Sequence, residues 1–166
     1  MKAAQDIILT PVITERSVDD MAESKYTFKV AKDANKVEIA KAAEAGGADA
    51  VSLINTLTGM KIDINRRTFA VANKTGGVSG PAVHPIAVRM VYQAAQAVNI
   101  PIIGMGGVQS TEDALELILA GATAVSVGTA NFTNPHVTEE IVDGIRAYME
   151  KYHVTDMKEL IGAVHE

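Results

Sequence analysis

Two near-copies of one short pattern constrain this chain more than any other feature. Ala45-Gly46-Gly47-Ala48-Asp49-Ala50-Val51-Ser52 and Ala120-Gly121-Ala122-Thr123-Ala124-Val125-Ser126 each read as the small-residue end of a helix followed at once by an apolar strand. Ala48 and Ala122, like Ser52 and Ser126, lie 74 positions apart, so an internal repeat is the economical reading. Between them runs Asn99-Ile100-Pro101-Ile102-Ile103-Gly104, in which Pro101 suits the first residue of a strand, where no ladder donor is needed. The spacing predicts strands at about 50–55, 100–105 and 123–128. Their nearly continuous apolar runs are those of parallel strands, with helices on one face and a packed interior on the other.

Helices fill the intervals, over 37–44, 85–98, 111–119 and 137–152, each with apolar residues three and four apart. Ser110 or Thr111 ahead of Glu112 and Asp113 is a suitable N-terminal cap, and Gly121 a helix stop. The fold class read from this rhythm is α/β. The interval 56–83 is long for a plain loop and contains Arg66-Arg67 and a Gly-rich stretch. A small hairpin, 60–64 against 68–72, is one expectation for it, and a functional loop is another. The arginines read as a solvated loop tip.

Composition narrows the function classes. With 48% hydrophobic residues and a formal net charge of -5, the 166-residue chain is not a disordered polyelectrolyte. It has no Cys, which excludes a disulfide framework, a thiolate metal site and a Cys nucleophile. The four histidines share no metal-ligand spacing, so no metal site is expected, and they read as surface or capping residues. No apolar run reaches bilayer length and no leader is recognisable, which gives the expectation of a cytoplasmic protein that does not engage a membrane. Charge divides the chain. Residues 1–41 carry seven basic and seven acidic side chains, leaving eight basic and thirteen acidic in 42–166. An acidic larger segment disfavours a general nucleic-acid surface.

Three glycine-bearing segments stand where strands end or helices begin: Gly104-Met105-Gly106-Gly107-Val108, Val127-Gly128-Thr129 and Gly76-Gly77-Val78-Ser79-Gly80. Glycine lets backbone amides approach an anion without a Cβ in the way, and a following helix adds aligned N–H groups. A phosphate site follows as the hypothesis, with 131–135 able to start a short extra helix of the kind found beside barrel phosphate sites. Tight strand-to-helix turns explain the same glycines without a ligand. Asn55-Thr56 at the first strand's end offers an amide and a hydroxyl to a planar ligand, or else a turn-initiating Asn. No Ser/His/Asp constellation emerges, and no catalytic residue is assigned.

Residues 37–166 closely resemble the C-terminal part of class 1B dihydroorotate dehydrogenases. The resemblance rests on Val37-Glu38-Ile39-Ala40-Lys41-Ala42-Ala43-Glu44, Ser52-Leu53-Ile54-Asn55-Thr56, Thr75-Gly76-Gly77-Val78-Ser79-Gly80-Pro81-Ala82, Ile102-Ile103-Gly104-Met105-Gly106-Gly107-Val108 and Val127-Gly128-Thr129-Ala130-Asn131-Phe132, in that order. It implies an FMN-containing (β/α)8 TIM barrel that oxidises dihydroorotate to orotate in pyrimidine biosynthesis and passes electrons to NAD through a partner subunit with FAD and an iron–sulfur cluster. Only the last three βα units are matched, or four if 26–30 takes the fifth strand's place. By the same resemblance Ile54 lies beside the flavin and Gly80 contacts it. Gly106, Gly107, Gly128 and Thr129 cradle the FMN phosphate, while Asn55 and Thr56 hydrogen-bond orotate.

The N-terminal stretch resembles something else. Asp6-Ile7-Ile8-Leu9-Thr10-Pro11-Val12-Ile13-Thr14-Glu15-Arg16-Ser17, Lys25-Tyr26-Thr27-Phe28-Lys29-Val30 and Ala34-Asn35-Lys36-Val37-Glu38-Ile39-Ala40-Lys41-Ala42 are similar to the start of the bacterial large-subunit ribosomal protein at the exit-tunnel rim. That similarity implies a helix near Thr14, a strand at 26–30 and, as the alternative function, ribosomal RNA binding. Both resemblances overlap on Val37 to Ala42, so the chain reads as a chimera of a 1–41 segment and a 42–166 half-barrel. The dehydrogenase resemblance places the catalytic base, a Cys, in a part of the barrel not matched here. It also aligns the family's flavin-contacting lysine with Phe28, one residue from Lys29, and a one-residue slip turns a strand side chain to the other face. Three or four strands leave open edges, from which pairing into a homodimer or with a missing barrel half is expected.

Overall fold

A computed structural model describes residues 3–14, 17 and 26–164. The motif members Glu15, Arg16 and Lys25, the body of a helix near Thr14, and His165 lie outside the described residues. The chain runs through α1 (Ala4–Ile7), β1 (Ile8–Pro11), β2 (Phe28–Val30), α2 (Lys36–Ala45), β3 (Val51–Leu53), β4 (Leu57–Met60), β5 (Ile62–Asp63), β6 (Thr68–Phe69) and β7 (Thr75–Val78). A 3-10 turn (Pro81–Val83) leads into α3 (His84–Ala95), followed by β8 (Ile102–Met105), α4 (Thr111–Leu119), β9 (Ala124–Ser126), α5 (Ala130–Thr133), α6 (Val137–Lys151) and a last 3-10 turn (Met157–Glu159).

The centre is a parallel sheet in the order β3-β8-β9, joined in register by Leu53 opposite Gly104 and Gly104 opposite Val125. All three strands expected from the apolar runs are present, and the helices fall where the periodicity places them. Ser110 is the N-cap of α4: its hydroxyl accepts from the Asp113 N–H at 3.2 Å, and the Asp113 carboxylate accepts from the Ser110 N–H at 3.1 Å. Asn35 and Glu38 build the same reciprocal box on α2.

The 74-residue repeat is reproduced bond for bond. At the end of α2 the Gly47 N–H donates to Glu44 O and the Ala48 N–H to Ala43 O; at the end of α4 Gly121 donates to Ile118 O and Ala122 to Leu117 O. Bonds reaching back five residues over a left-handed residue make a Schellman ending, and Gly47 (φ 89°) and Gly121 (φ 116°) supply that conformation. Each ending drops the chain straight into a strand.

Helices cover one face of the sheet. Ile102, Leu117 and Val91 are its largest fully buried side chains, and Ala87, Val91 and Ala94 present one stripe of α3 to it. Burying a side chain the size of Leu117 contributes roughly 2 kcal/mol. The other face carries Ser52, Ile103 and Ala124 and is exposed. The helices expected on one face are there, and the packed interior expected on the other is not formed by the described residues.

One further expectation is corrected and one is met. The strand at 26–30 does not take a barrel strand's place. Its paired part, β2, runs antiparallel to β1 in a separate two-stranded ribbon, so the parallel sheet has three strands among the described residues. Antiparallel pairing to a near neighbour needs no crossover helix. In the long interval the expected hairpin forms, with Ile62 opposite Phe69 and Asp63 opposite Thr68, and a longer ribbon that the sequence reading did not include carries it. Leu57–Met60 pairs with Thr75–Val78, and the short β5–β6 pair extends that ribbon outward, with Arg66 at its exposed tip.

The repeat makes a stability test. Gly47→Ala meets no neighbour within 4 Å and suffers only the left-handed penalty, about 1 kcal/mol. Gly121→Ala adds a collision with the Ala95 methyl, so its loss should exceed that of Gly47→Ala by about 1 kcal/mol or more in denaturant unfolding.

Candidate anion-binding cleft

Parallel strands end on the same side, and here the ends of β3, β8 and β9 meet the inner end of the β4–β7 ribbon around a cleft of about 260 Å3. Its lining includes Ile54 and Thr56 after β3, Ser79 and Gly80 after β7, Gly106 and Gly107 after β8, and Gly128 and Thr129 after β9. Seven of the eight residues singled out from sequence are thus brought together. The eighth, Asn55, lies beside the cleft, with its Oδ1 accepting from the Thr56 N–H at 2.8 Å. Arg66 and Arg67 belong to the ribbon's far end, and Lys29 sits in the β1–β2 ribbon rather than in the sheet.

Local bonds fix the rim. The Ile54 N–H donates to Met105 O at 2.9 Å, tying the end of β3 to β8. Ser79 Oγ and Thr129 Oγ1 lie 3.4 Å apart, which joins the ribbon to the loop after β9. Asn131 Nδ2 donates to Val127 O at 2.9 Å and to Gly128 O at 3.1 Å. A trans peptide holds its C=O and N–H on opposite sides, so drawing these two carbonyls toward Asn131 turns the N–H groups of Gly128 and Thr129 away from it. Among the described residues neither N–H, nor that of Gly107, has a hydrogen-bond acceptor. Donors without an acceptor at strand ends, with hydroxyls of Thr56, Ser79 and Thr129 beside them and no acidic side chain in the lining, have the chemistry that suits an anion.

The glycines differ in what they do. A side-chain carbon added at Gly128 would meet nothing within 4 Å, so its bareness leaves room. Gly107 (φ 72°) is packed: an added Cβ would press on Gly80 O and lie 2.9 Å from the His84 backbone nitrogen.

His84 corrects the expectation of a surface histidine. It is 6% exposed, its Nδ1 lies 2.9 Å from Gly106 O and its Nε2 lies 3.2 Å from Glu116 Oε2. These partners are 22 and 32 residues away in sequence, so no local signal marked it. Asn131 was visible only as part of a helix start. His136 lies 3.2 Å from Glu139 on the surface, as expected for a surface residue. Among the described residues no group of three His, Asp or Glu could hold a metal. A second hollow, about 300 Å3 between α1 and α2, is bordered by Asn35 and Glu38, whose side chains are already spent on capping α2.

A family model described as dihydroorotate dehydrogenase matches residues 6–149. That match reaches back through most of the segment that resembles the ribosomal protein. The chain is 71% identical over 127 residues to the dihydroorotate dehydrogenase B (NAD(+)) catalytic subunit of Lachnoclostridium phytofermentans, covering 76% of this chain and 42% of the relative. It is 60% identical over 128 residues to the protein of the same name from Alkaliphilus metalliredigens (77% and 42%). For the one from Geotalea uraniireducens the figures are 57% over 130 residues (78% and 43%). The chain spans about two fifths of the length of these relatives.

The two cleft glycines should separate in mutagenesis. Gly107→Ala is expected to lower stability by about 1–3 kcal/mol, whereas Gly128→Ala should stay within about 0.5 kcal/mol of the parent by thermal or urea unfolding.

Proposed function

The chain belongs to the dihydroorotate dehydrogenase family, and from that premise we propose that it is the FMN-phosphate-binding part of a class 1B TIM barrel that oxidises dihydroorotate to orotate in pyrimidine biosynthesis. The observation that supports this most is the set of unpaired N–H groups at Gly107, Gly128 and Thr129 around one cleft. A phosphate monoester dianion suits three backbone donors and adjoining hydroxyls without needing a lysine or arginine. At about 260 Å3 the cleft lies below the roughly 300–1,000 Å3 usual for whole cofactors, which fits the phosphate end rather than the entire flavin.

When bound, FMN supplies the two-electron acceptor for the oxidation. The chain's own residues bind and orient. In this reading Ile54 closes the apolar side beside the flavin, Gly80 lets the backbone come close to it, and Gly106 with Gly107 carries the loop over the phosphate. Asn55 and Thr56 offer their amide and hydroxyl to the planar pyrimidine of orotate or dihydroorotate. No Cys is present in the sequence, so a thiolate base of the family's kind is not among this chain's roles, and turnover by this segment alone is not proposed. An electron-transfer subunit carrying FAD and an iron–sulfur cluster is the proposed protein partner, in a cytoplasmic setting. No helix among the described residues is long and apolar enough to cross a membrane.

Residues 1–41 are proposed as a distinct N-terminal segment ahead of a 42–166 partial barrel. The exposed sheet face at Ser52, Ile103 and Ala124, with β3 and β9 as its open edges, supports pairing with a second copy or with a complementary barrel half. Sedimentation velocity should then show concentration-dependent association, and a monomer at every concentration would remove this part of the reading.

Titration with FMN, followed by flavin fluorescence, tests the central claim. Saturable one-to-one binding is expected. Gly128→Asp, which puts a carboxylate into open space beside the donors, should weaken it about tenfold or more. Gly107→Asp is the poorer probe because the backbone there resists any side chain. An unchanged affinity in a folded Gly128→Asp protein would overturn the cradle.

A further inference from the structure

We propose that His84 is a positioning residue for the anion site, holding the Gly106–Gly107 peptide so that the Gly107 N–H is offered to the phosphate. The inference rests on the FMN reading and extends it to a residue that lies behind the cleft rather than in it.

A carbonyl oxygen can only accept, so the 2.9 Å contact between His84 Nδ1 and Gly106 O requires that Nδ1 carry the proton and donate it. The Gly106 carbonyl is thereby drawn toward a ring that is 6% exposed. The N–H of the same trans peptide belongs to Gly107 and points the opposite way. It has no acceptor among the described residues and Gly107 borders the cleft. Turned over, this peptide would show the anion a carbonyl oxygen instead. Both residues are glycines with positive φ (134° and 72°), and glycine peptides of that kind flip readily, so an external hold is needed.

The hold is itself anchored. His84 is the first residue of α3 and is fixed by the helix. Its Nε2 faces Glu116 Oε2 at 3.2 Å and Asp113 Oδ1 at 3.8 Å, both from α4. The other Asp113 oxygen accepts from the Gln109 N–H at 2.9 Å. The loop after β8 is therefore gripped at Gly106 by the imidazole and at Gln109 by the carboxylate beside it. Asn131 treats the carbonyls of Val127 and Gly128 in the same manner on the other side of the cleft.

His84→Leu removes the donor and keeps bulk, whereas His84→Asn keeps a side-chain N–H at the same number of bonds from Cβ. FMN affinity is expected to fall about tenfold in His84→Leu and to return to within about threefold of the parent in His84→Asn, although both lower thermal stability. A purely structural role would move stability without this split. The amide resonance of Gly107 in 1H–15N spectra, recorded without flavin, gives a second readout: both variants lose the ring current of the imidazole, so it should stay nearer the parent position in His84→Asn than in His84→Leu. Should His84→Leu not fold, His84→Ala takes its place with the same expectation. Equal affinities in the Leu and parent proteins, equal losses in Leu and Asn, or a Gly107 resonance no nearer the parent position in Asn than in Leu would overturn the inference. If the parent itself does not bind FMN, the flavin reading fails, and the Gly107 resonance still decides the role of His84.

Discussion

The central sheet and its cleft follow from three strands, β3, β8 and β9, that all run the same way. A parallel ladder cannot be closed by a hairpin, so between β3 and β8, and again between β8 and β9, the chain has to travel back along a covering helix. That requirement fixes one end of the sheet as the place where every strand stops and every loop starts toward a helix. Donors left over at strand ends and at helix starts accumulate there because the topology offers them nowhere else to go. The opposite end receives the helix terminations, where the Schellman endings at Gly47 and Gly121 satisfy the backbone internally. One end is saturated and the other is not, and the cleft is at the second.

An unsatisfied N–H is tolerable while water can reach it and expensive once it cannot. The cleft loops resolve this by consuming their carbonyls and leaving their amides. His84 takes Gly106 O, Asn131 takes Val127 O and Gly128 O, and Val83 takes Gly80 O through its own N–H at 3.0 Å. The surface so produced is electropositive without a formal charge. Affinity for a phosphate built in this way depends on peptide orientation more than on side-chain chemistry, which is the use of glycines such as Gly80, Gly106 and Gly107 at fixed conformations in the lining.

Much of this was legible in sequence, for physical reasons that also mark where legibility ended. The strands and helices of the 42–166 segment announce themselves because each is set by local periodicity and by caps within four residues, as at Ser110 and Asp113. The glycine-bearing strand ends carried the site because their conformational freedom is intrinsic to the residue. The β4–β7 ribbon was hidden: Thr75-Gly76-Gly77-Val78 has the composition of a turn, and it becomes a strand only through its pairing to Leu57–Met60, some eighteen residues upstream. β2 misled for a related reason. Its sequence says strand, and only the partner, β1, says which sheet. His84 was invisible because burial is decided by α4 and the loop after β8, neither of which is adjacent to it in sequence.

The division of labour between backbone and side chain bears on what a single run of βα units can build. Catalytic groups in a closed barrel come from many strands, and losing some of them leaves chemistry undone. A backbone cradle needs only the consecutive βα units that build it, together with the ribbon that supplies Ser79 and Gly80. Here all its parts come from one contiguous stretch between Ile54 and Asn131, and each hydrogen bond that shapes it is internal to that stretch. The shape of the cradle is therefore set within that stretch. The uncovered face at Ser52, Ile103 and Ala124 is the complementary half of the same logic: it is where side chains from further strands would have to come from, and it adjoins the cleft at the strand ends, so whatever covers the sheet also completes the site.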